Sequence, residues 1–183
     1  MKRAQPLLAL ATLAFAAGAA AEKADLTMPT QIEANRMSAD DARRMTVFEG
    51  SVVVTRGTMR LVADRVVVRQ DSEGYQFATA TGKPARFRQR QDAKPPETVG
   101  AWMEGEALRM EMDDRSGKIE LYDNAHVKRG GDEVTGNYIL LDQRSDYFSV
   151  STGKDSKDTA PSGRVKAVIQ PKPRPPEPPG AAK

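Results

Sequence analysis

The chain has 183 residues, a formal net charge of +3, a single histidine and no cysteine. This length fits one domain with a substantial core, and the lack of cysteine excludes a disulfide framework. The charge excess lies at the two ends, because removing Lys2 and Arg3 leaves +1, and removing segment 171–183 as well leaves −1. A near-neutral body has no surplus of cations for phosphates, which argues against nucleic-acid binding.

The first 21 residues are predicted to be a secretory signal peptide. Lys2 and Arg3 precede an apolar run at positions 7–15, and the alanines at 19–21 satisfy the small-residue cleavage rule. An uncleaved membrane anchor is the alternative, but the run is shorter than the ~20 apolar residues that a span needs. We expect export, cleavage after about Ala21, and a mature chain that begins at Glu22.

A sequence motif that occurs four times, the first repeat, dominates the body of the chain. The pattern is apolar, any, small, Asn/Asp/Glu, any, apolar, and it occurs at residues 32–37, 61–68, 103–110 and 134–141. Regular recurrence of this kind indicates one supersecondary unit used several times. The small residue and its polar neighbour predict a bend in a strand, because Asn and Asp tolerate left-handed backbone.

A second repeat lies between the copies of the first. Residues 48–54 match residues 121–127, and residues 80–87 lie between them, where Pro84 predicts a bulge. Copies of both repeats are separated by the same 73 residues, from position 50 to 123 and from position 64 to 137. Two similar halves, each with two repeats, are therefore predicted.

Apolar residues alternate with polar ones inside the repeats, as Val66 and Val68 do, which is typical of strands with one buried face. No long helical period follows the signal segment. Consecutive strands without crossover helices predict an all-β, antiparallel, folded-over sheet, which includes the solenoid and the β-jelly roll. Such an open stack leaves unpaired backbone groups at both ends. The last strand is predicted at residues 164–169.

The C-terminal segment 171–183 is predicted to be an extended, disordered tail. Six of the nine residues at 171–179 are prolines, so the segment cannot form a regular ladder of backbone hydrogen bonds. A ligand for a proline-recognising partner is the alternative. The predicted folded domain therefore spans residues 22–170.

The chain offers little catalytic chemistry. His126 lies between Ala125 and Val127, so it is expected to point away from the apolar side. Zinc sites and catalytic triads need clustered ligands or a placed base, and one histidine provides neither. Residues 113–117 predict a turn rather than a metal loop. We expect no enzyme activity, no metal and no cofactor.

Flexible methionines such as Met37, Met103, Met110 and Met112 suit irregular partners, including acyl chains. From the residues alone, two interpretations of the apolar face stay open. It is either the filled core of an ordinary sheet protein or the lining of a lipid groove.

Segments 48–54, 61–68, 82–87 and 163–168, in this order, resemble the OstA-like domain family. The resemblance runs from about residue 26 to residue 170. It implies a periplasmic, non-enzymatic β-jelly roll, folded like a taco and open at both ends. It also implies that lipopolysaccharide travels with its acyl chains along a continuous groove. The implied partners are further copies of the chain, an LptC-like inner-membrane anchored protein and an LptD-like outer-membrane translocon, all stacked head to tail.

The alternation in the repeats and the resemblance together predict which residues face the groove. These are Met37, Val52, Val54, Val66, Val68, Phe87, Leu108, Met110, Met112, Ile139 and Leu141. The edge strands that would pair with a partner are expected to carry Thr30, Ile32, Val165 and Val168. Arg86, between Ala85 and Phe87, is expected to point outward.

Two other functions fit the same sequence. One is an exported structural or adhesive β-solenoid with a dry core and no ligand. The other is a monomeric lipid shuttle that binds lipid without stacking. The bridge differs from both because free sheet edges allow strand addition, and a head-to-tail contact that does not close produces a filament.

Overall fold

The computed structural model describes residues 21–94, 97–153 and 164–171. The predicted signal segment up to residue 20 and the predicted tail from residue 172 lie outside the described residues. The described part contains one helix and ten strands, and none of it forms a helix long and apolar enough to cross a membrane. The elements are α1 (Ala21–Asp25), β1 (Gln31–Glu33), β2 (Arg36–Asp40), β3 (Met45–Arg56), β4 (Met59–Gln70), β5 (Gln76–Arg90), β6 (Trp102–Asp113), β7 (Lys118–Arg129), β8 (Asp132–Asp142), β9 (Tyr147–Ser151) and β10 (Lys166–Val168).

All ten strands belong to one antiparallel sheet. The six long central strands, β3 to β8, pair in sequence order. At one end β1 and β2 both pair with β3, and at the other end β9 and β10 both pair with β8. The prediction of an all-β, antiparallel, folded-over sheet is confirmed, and the sheet is open at both ends.

Each pair of central strands is interrupted by a bulge. The register shifts lie between Glu49 and Val52, Val62 and Arg65, Thr81 and Ala85, Glu106 and Arg109, and Tyr122 and Ala125. A bulge bends the strand and increases its twist. Ser51 and Asp123 adopt left-handed backbone there, with φ of 50° and 63°. The predicted bulge at Pro84 is confirmed, and Asp64 and Asn137 lie within register shifts, as the predicted bends require. The left-handed backbone expected at these Asn/Asp positions is instead found in segments 48–54 and 121–127.

This line of bulges, the crease, divides the sheet into two arms. The first arm comprises β1, β10 and segments 52–56, 59–62, 85–90, 102–106, 125–129 and 132–136. The second arm comprises β2, β9 and segments 45–49, 65–70, 76–81, 109–113, 118–122 and 138–142. Every central strand therefore contributes to both arms.

The core lies between the inner faces of the two arms. One apolar cluster joins Val52 and Leu61 of the first arm to Val66, Met110 and Ile139 of the second arm, all at most 1% exposed. Burying a side chain of this size contributes about 1.5–3 kcal/mol relative to leaving it exposed. The apolar face that the alternation predicts is thus buried by folding the sheet onto itself.

Small side chains lie next to the crease on the inner side of the first arm. Ala63, Ala85, Ala107 and Ala125 are 0–4% exposed, and Ala85 lies opposite Ala107 in the strand register. Their size leaves room for the two arms to approach each other at the fold. The alanines of the repeated sequence pattern therefore have a packing role.

The ring of Phe87 fills the space above a glycine on the neighbouring strand. Phe87 is 4% exposed and lies opposite Gly105 in the register of β5 and β6. A Cβ atom added to Gly105 would lie 2.2 Å from Cε1 of Phe87. The glycine is required because no side chain fits under the ring.

Gly105→Ala should lower the free energy of unfolding by about 1–3 kcal/mol, because the added methyl group overlaps the Phe87 ring. The cost should be smaller in a Phe87→Leu background, where the ring is absent. Urea denaturation of the four chains forms a double-mutant cycle that measures this coupling. Equal costs in both backgrounds would contradict the packing described.

Candidate functional site

Two apolar cavities lie between the arms, one at each end of the sheet. The N-terminal cavity, near β1 and β2, has a volume of about 280 Å³. The C-terminal cavity, near β9 and β10, has a volume of about 420 Å³, which is within the range of small-molecule sites. Both cavities are lined by residues of the two arms. Members of the N-terminal lining are Phe48, Val54, Met59 and Met112, and members of the C-terminal lining are Met103, Val127, Leu141 and Phe148.

Packed side chains fill the interior between the two cavities. Val52, Met110, Leu121 and Ile139 are 0% exposed and line neither cavity. Phe87, at 4% exposed, lies among them. The continuous groove that the family resemblance implies is therefore closed in its middle in this structure.

The predicted groove residues fall into three groups. The first lines a cavity: Met37, Val54, Val66, Val68 and Met112 lie in the N-terminal one, and Leu141 lies in the C-terminal one. The second group, Val52, Phe87, Met110 and Ile139, belongs to the packed middle. The third is Leu108, which lies outside. Ten of the eleven residues thus lie on the inner side of the sheet. Of these, Met37 lies at the mouth of the N-terminal cavity and is 62% exposed.

The expectation that Leu108 faces inward is wrong. Leu108 is 41% exposed, whereas Ala107 and Met110 are 0% exposed. The cause is the bulge between Glu106 and Arg109, which inserts an extra residue and reverses the alternation. Leu108 therefore points away from the core, although it occupies the apolar position of the repeat.

The predicted edge residues lie at the two ends of the sheet. Thr30 and Ile32 line the N-terminal cavity, and Ile32 belongs to β1. Val165 lines the C-terminal cavity, and Val168 belongs to β10 and is 54% exposed. The predicted last strand at residues 164–169 is confirmed in its central three residues.

Sequence reasoning missed the edge strands of the second arm, β2 and β9. Each is only five residues long, which gives little periodicity to detect. Phe148 and Val150 alternate with polar residues in β9, and both line the C-terminal cavity. This alternation was the available signal. Each end of the sheet therefore presents one edge strand per arm.

The outer face of the first arm carries charged side chains, as predicted for Arg86 and His126. Arg86 Nε donates to Glu106 Oε2 at 3.0 Å, and the arginine side chain is 64% exposed. His126 Nε2 lies 3.8 Å from Glu133 Oε2. Both side chains line an outer surface depression rather than either cavity.

Polar contacts join the free rims of the two arms, opposite the crease. Each contact pairs a group at the rim of the first arm with one at the rim of the second. The three pairs are Arg56 Nη1 with Asp114 Oδ1 at 3.0 Å, Gln143 Nε2 with Gln89 Oε1 at 2.7 Å, and Lys94 Nζ with Asp146 Oδ2 at 3.3 Å. Gln89 and Gln143 are 0% and 6% exposed, so their bond is effectively shielded from water.

Helix α1 is anchored to the rim of the first arm by Asp25. The Asp25 carboxylate is 2% exposed and accepts hydrogen bonds from Thr58 N at 2.8 Å and Thr58 Oγ1 at 2.6 Å. Gln89 Nε2 donates to the same carboxylate at 3.0 Å. Three donors satisfy the buried charge, as a buried carboxylate requires.

Glu22, at the other end of α1, lies between both rims and is 3% exposed. Burial, followed by the charges of Asp146 and Asp92, raises the pKa of Glu22 to about 7, against the lowering effects of Gln143 and Lys94. Asp92 follows β5 at the first rim, and Asp146 precedes β9 at the second. Helix α1 therefore spans the opening between the arms. No group of three or more His, Asp or Glu side chains in the described residues is placed to hold a metal ion.

These observations define the class of protein. It is an open antiparallel sheet, folded at a crease over an apolar interior, with a cavity and two edge strands at each end. Residues 31–147 match the family model described as LptA/(LptD N-terminal domain) LPS transport protein. The chain belongs to this family.

Named relatives agree with the family match. The lipopolysaccharide export system protein LptH of Pseudomonas aeruginosa is 29% identical over 149 residues, which cover 81% of this chain and 82% of that protein. LptA of Escherichia coli K12 is 31% identical over 148 residues, which cover 78% and 77%. The crystal structure of Pseudomonas LptH, a periplasmic component of the lipopolysaccharide transport device, matches with a TM-score of 0.70 at 28% identity. That match covers 81% of this chain and 99% of the LptH chain.

In a chain that keeps Ala21 before Glu22, stability should fall as the pH rises from about 4.5 to about 7. The folded state raises the pKa of Glu22, so the protonated carboxyl contributes to the free energy of unfolding. This contribution is fully present below the unfolded-state pKa and is lost as the pH passes about 7. A tenfold change in proton affinity is worth about 1.4 kcal/mol, so the effect reaches about 3 kcal/mol at most.

Urea denaturation across this pH range measures the effect, and Glu22→Gln should flatten the curve. Glu97→Gln is the matched control, since Glu97 is exposed in the loop after β5. A curve that keeps its slope in Glu22→Gln would place the pH dependence elsewhere.

Proposed function

We propose that this protein is a periplasmic component of lipopolysaccharide transport. It holds lipid A acyl chains between its two arms and passes them along a head-to-tail stack of folded sheets. The observation that carries the proposal is the pair of apolar cavities, one at each end of the same interior. The names of the relatives supply the ligand class.

An acyl chain in water costs about 0.8 kcal/mol per exposed CH₂ group, so crossing an aqueous compartment requires a continuous apolar path. The two cavities supply the ends of such a path. Its middle becomes available when the arms separate at the rims and the packed side chains, Phe87 and Met110 among them, exchange contacts with each other for contacts with lipid. The protein acts as a conduit and performs no catalysis.

The edge strands support assembly. β1 and β2 leave backbone groups unpaired at one end, and β9 and β10 do so at the other. Apolar side chains are exposed at both ends, with Met37 at 62% and Tyr147 at 57%. Strand addition joins such edges by main-chain hydrogen bonds, and a head-to-tail contact of unlike ends continues into a filament.

The proposed partners are therefore further copies of this chain and homologous domains on an LptC-like inner-membrane protein and an LptD-like translocon. The proposed mature protein begins after about Ala21 and folds as one domain over residues 22–170. Stacking brings the C-terminal cavity of one copy next to the N-terminal cavity of the next. The apolar path then extends from domain to domain.

One observation favours a rival function. The filled middle of the interior fits a structural solenoid with a dry core, which would need no ligand. The two functions differ in what contacts the inner side chains in the cell. Crosslinking from side chains that face the interior therefore distinguishes the lipid conduit from the dry solenoid.

A photoreactive amino acid at Met112 or Leu141 should capture lipopolysaccharide in cells, because each position lines one cavity. The same substitution at Phe87 should also give an adduct, since lipid has to pass the middle. Leu108 is the matched control because it belongs to the same repeat but is 41% exposed on the outside. Blotting for lipopolysaccharide measures the adducts.

Adducts from Leu108 alone, or from none of the three inner positions in folded and exported protein, would contradict the proposal and favour the dry solenoid. Adducts at Met112 and Leu141 without one at Phe87 would contradict passage through the middle. Such a result would indicate two separate lipid-binding sites, one in each cavity.

Val168→Pro should block assembly through the β10 edge, where Val168 lies opposite Glu133 of β8. Proline removes a backbone donor and distorts the edge strand. Sedimentation velocity at increasing concentration should show growing species for the unchanged chain and a constant monomer for the variant. Val99→Pro is the matched control, since Val99 is 51% exposed in a loop. Unchanged assembly of a folded Val168→Pro chain would exclude this edge.

A further inference from the structure

The backbone nitrogen of Glu22 is directed at a carboxylate. Glu22 N donates to Asp92 Oδ1 at 2.9 Å, and Lys23 N donates to the same oxygen at 3.4 Å. The Asp92 side chain is 22% exposed, so this contact is largely shielded from water. It connects the first turn of α1 to the rim of the first arm across 70 residues of sequence.

The surroundings of this nitrogen contain an excess of negative charge. Three carboxylates come together there, those of Glu22, Asp92 and Asp146. Two lysines face them: Lys23 of α1 lies 3.8 Å from Asp92, and Lys94 lies 3.3 Å from Asp146. Both lysine side chains are more than 60% exposed, at 64% and 61%. Among the residues that the structure describes, the two lysines that pair with this cluster therefore lie on its exposed side, and its buried part contains no cation.

We propose that the mature N-terminus supplies this cation: cleavage after Ala21 turns the Glu22 nitrogen into an ammonium that pairs with Asp92 and fastens α1 across the two arms. A signal-peptidase-class protease adds one water to the Ala21–Glu22 peptide bond. Ala21 leaves as a carboxylate, and the nitrogen of Glu22 keeps its electron pair and is protonated. The inference rests on the export and cleavage in the proposed function and is independent of lipid binding.

The new group fits the place where the structure holds the nitrogen. The amide donates one neutral hydrogen bond to Asp92, whereas an ammonium carries a full charge and makes a stronger, charge-assisted bond. It balances three carboxylates with three cations. It also opposes the two aspartates that raise the pKa of Glu22, so the Glu22 carboxyl is stabilised in its ionised form. Helix α1 is therefore held more tightly over the opening between the arms in the processed chain than in its precursor.

Two forms of the mature chain test this proposal, one beginning at Glu22 and one keeping Ala21 as an extra first residue. Both carry an ammonium, but only in the first is it the nitrogen that lies 2.9 Å from Asp92 Oδ1. The Glu22 form should have a melting temperature higher by about 2–4 °C, the scale expected for one such interaction in a domain of this size. The difference should disappear in Asp92→Asn and persist in Asp41→Asn, an exposed turn residue.

A direct readout is the titration of the α-amino group by NMR. Its pKa should lie above the ordinary range of about 7.7–8.0 in the Glu22 form and within that range in Asp92→Asn. Equal melting temperatures, a difference that survives Asp92→Asn, or an ordinary α-amino pKa would overturn the proposal. Mass spectrometry of exported protein with a first residue other than Glu22 would also overturn it. Crosslinking at Met112 and Leu141 tests the transport function separately, since it does not depend on these outcomes.

Discussion

The crease is the constraint on which the rest of this structure depends. Five register shifts at successive strand pairs make each central strand turn at the bulges. Left-handed residues such as Ser51 and Asp123 hold the bends, and small residues such as Ala85 and Ala107 let the arms approach. Because the strands continue across the crease, the central strands stay paired along both arms and lose pairing only at the bulges. Folding therefore buries the apolar face and confines the unpaired edges to the two ends of the sheet.

The interior is closed by two kinds of interaction with different properties. Apolar packing fills the middle, and its side chains can exchange one apolar neighbour for another at little cost. The rim contacts are polar and directional, as in the buried bond between Gln143 and Gln89. Separating the arms therefore requires breaking a few specific hydrogen bonds and ion pairs. An acyl chain between the arms would replace the lost apolar contacts but not the polar ones, so the rims determine how readily the interior opens.

The repeats predicted the architecture because bends and alternation are local properties of the sequence. Val66 and Val68 follow the two-residue period up to the crease, and the Asn/Asp positions indicated where the strands bend. Leu108 was misassigned because a bulge shifts the period by one residue, which apolarity alone does not reveal. The rim contacts could not be predicted. Asp25 and Gln89 are 64 residues apart, and only the folded arms bring them together.

The crease also gives the interior a mechanical property. Each central strand is hydrogen bonded to its neighbours along both arms, so the opening angle at one strand is coupled to the angle at the next. An object wedged into one end would spread the nearest strands first, because each strand is tied to its neighbours. A gap formed in this way would be local and would move with the object, so the whole length would not have to open at once.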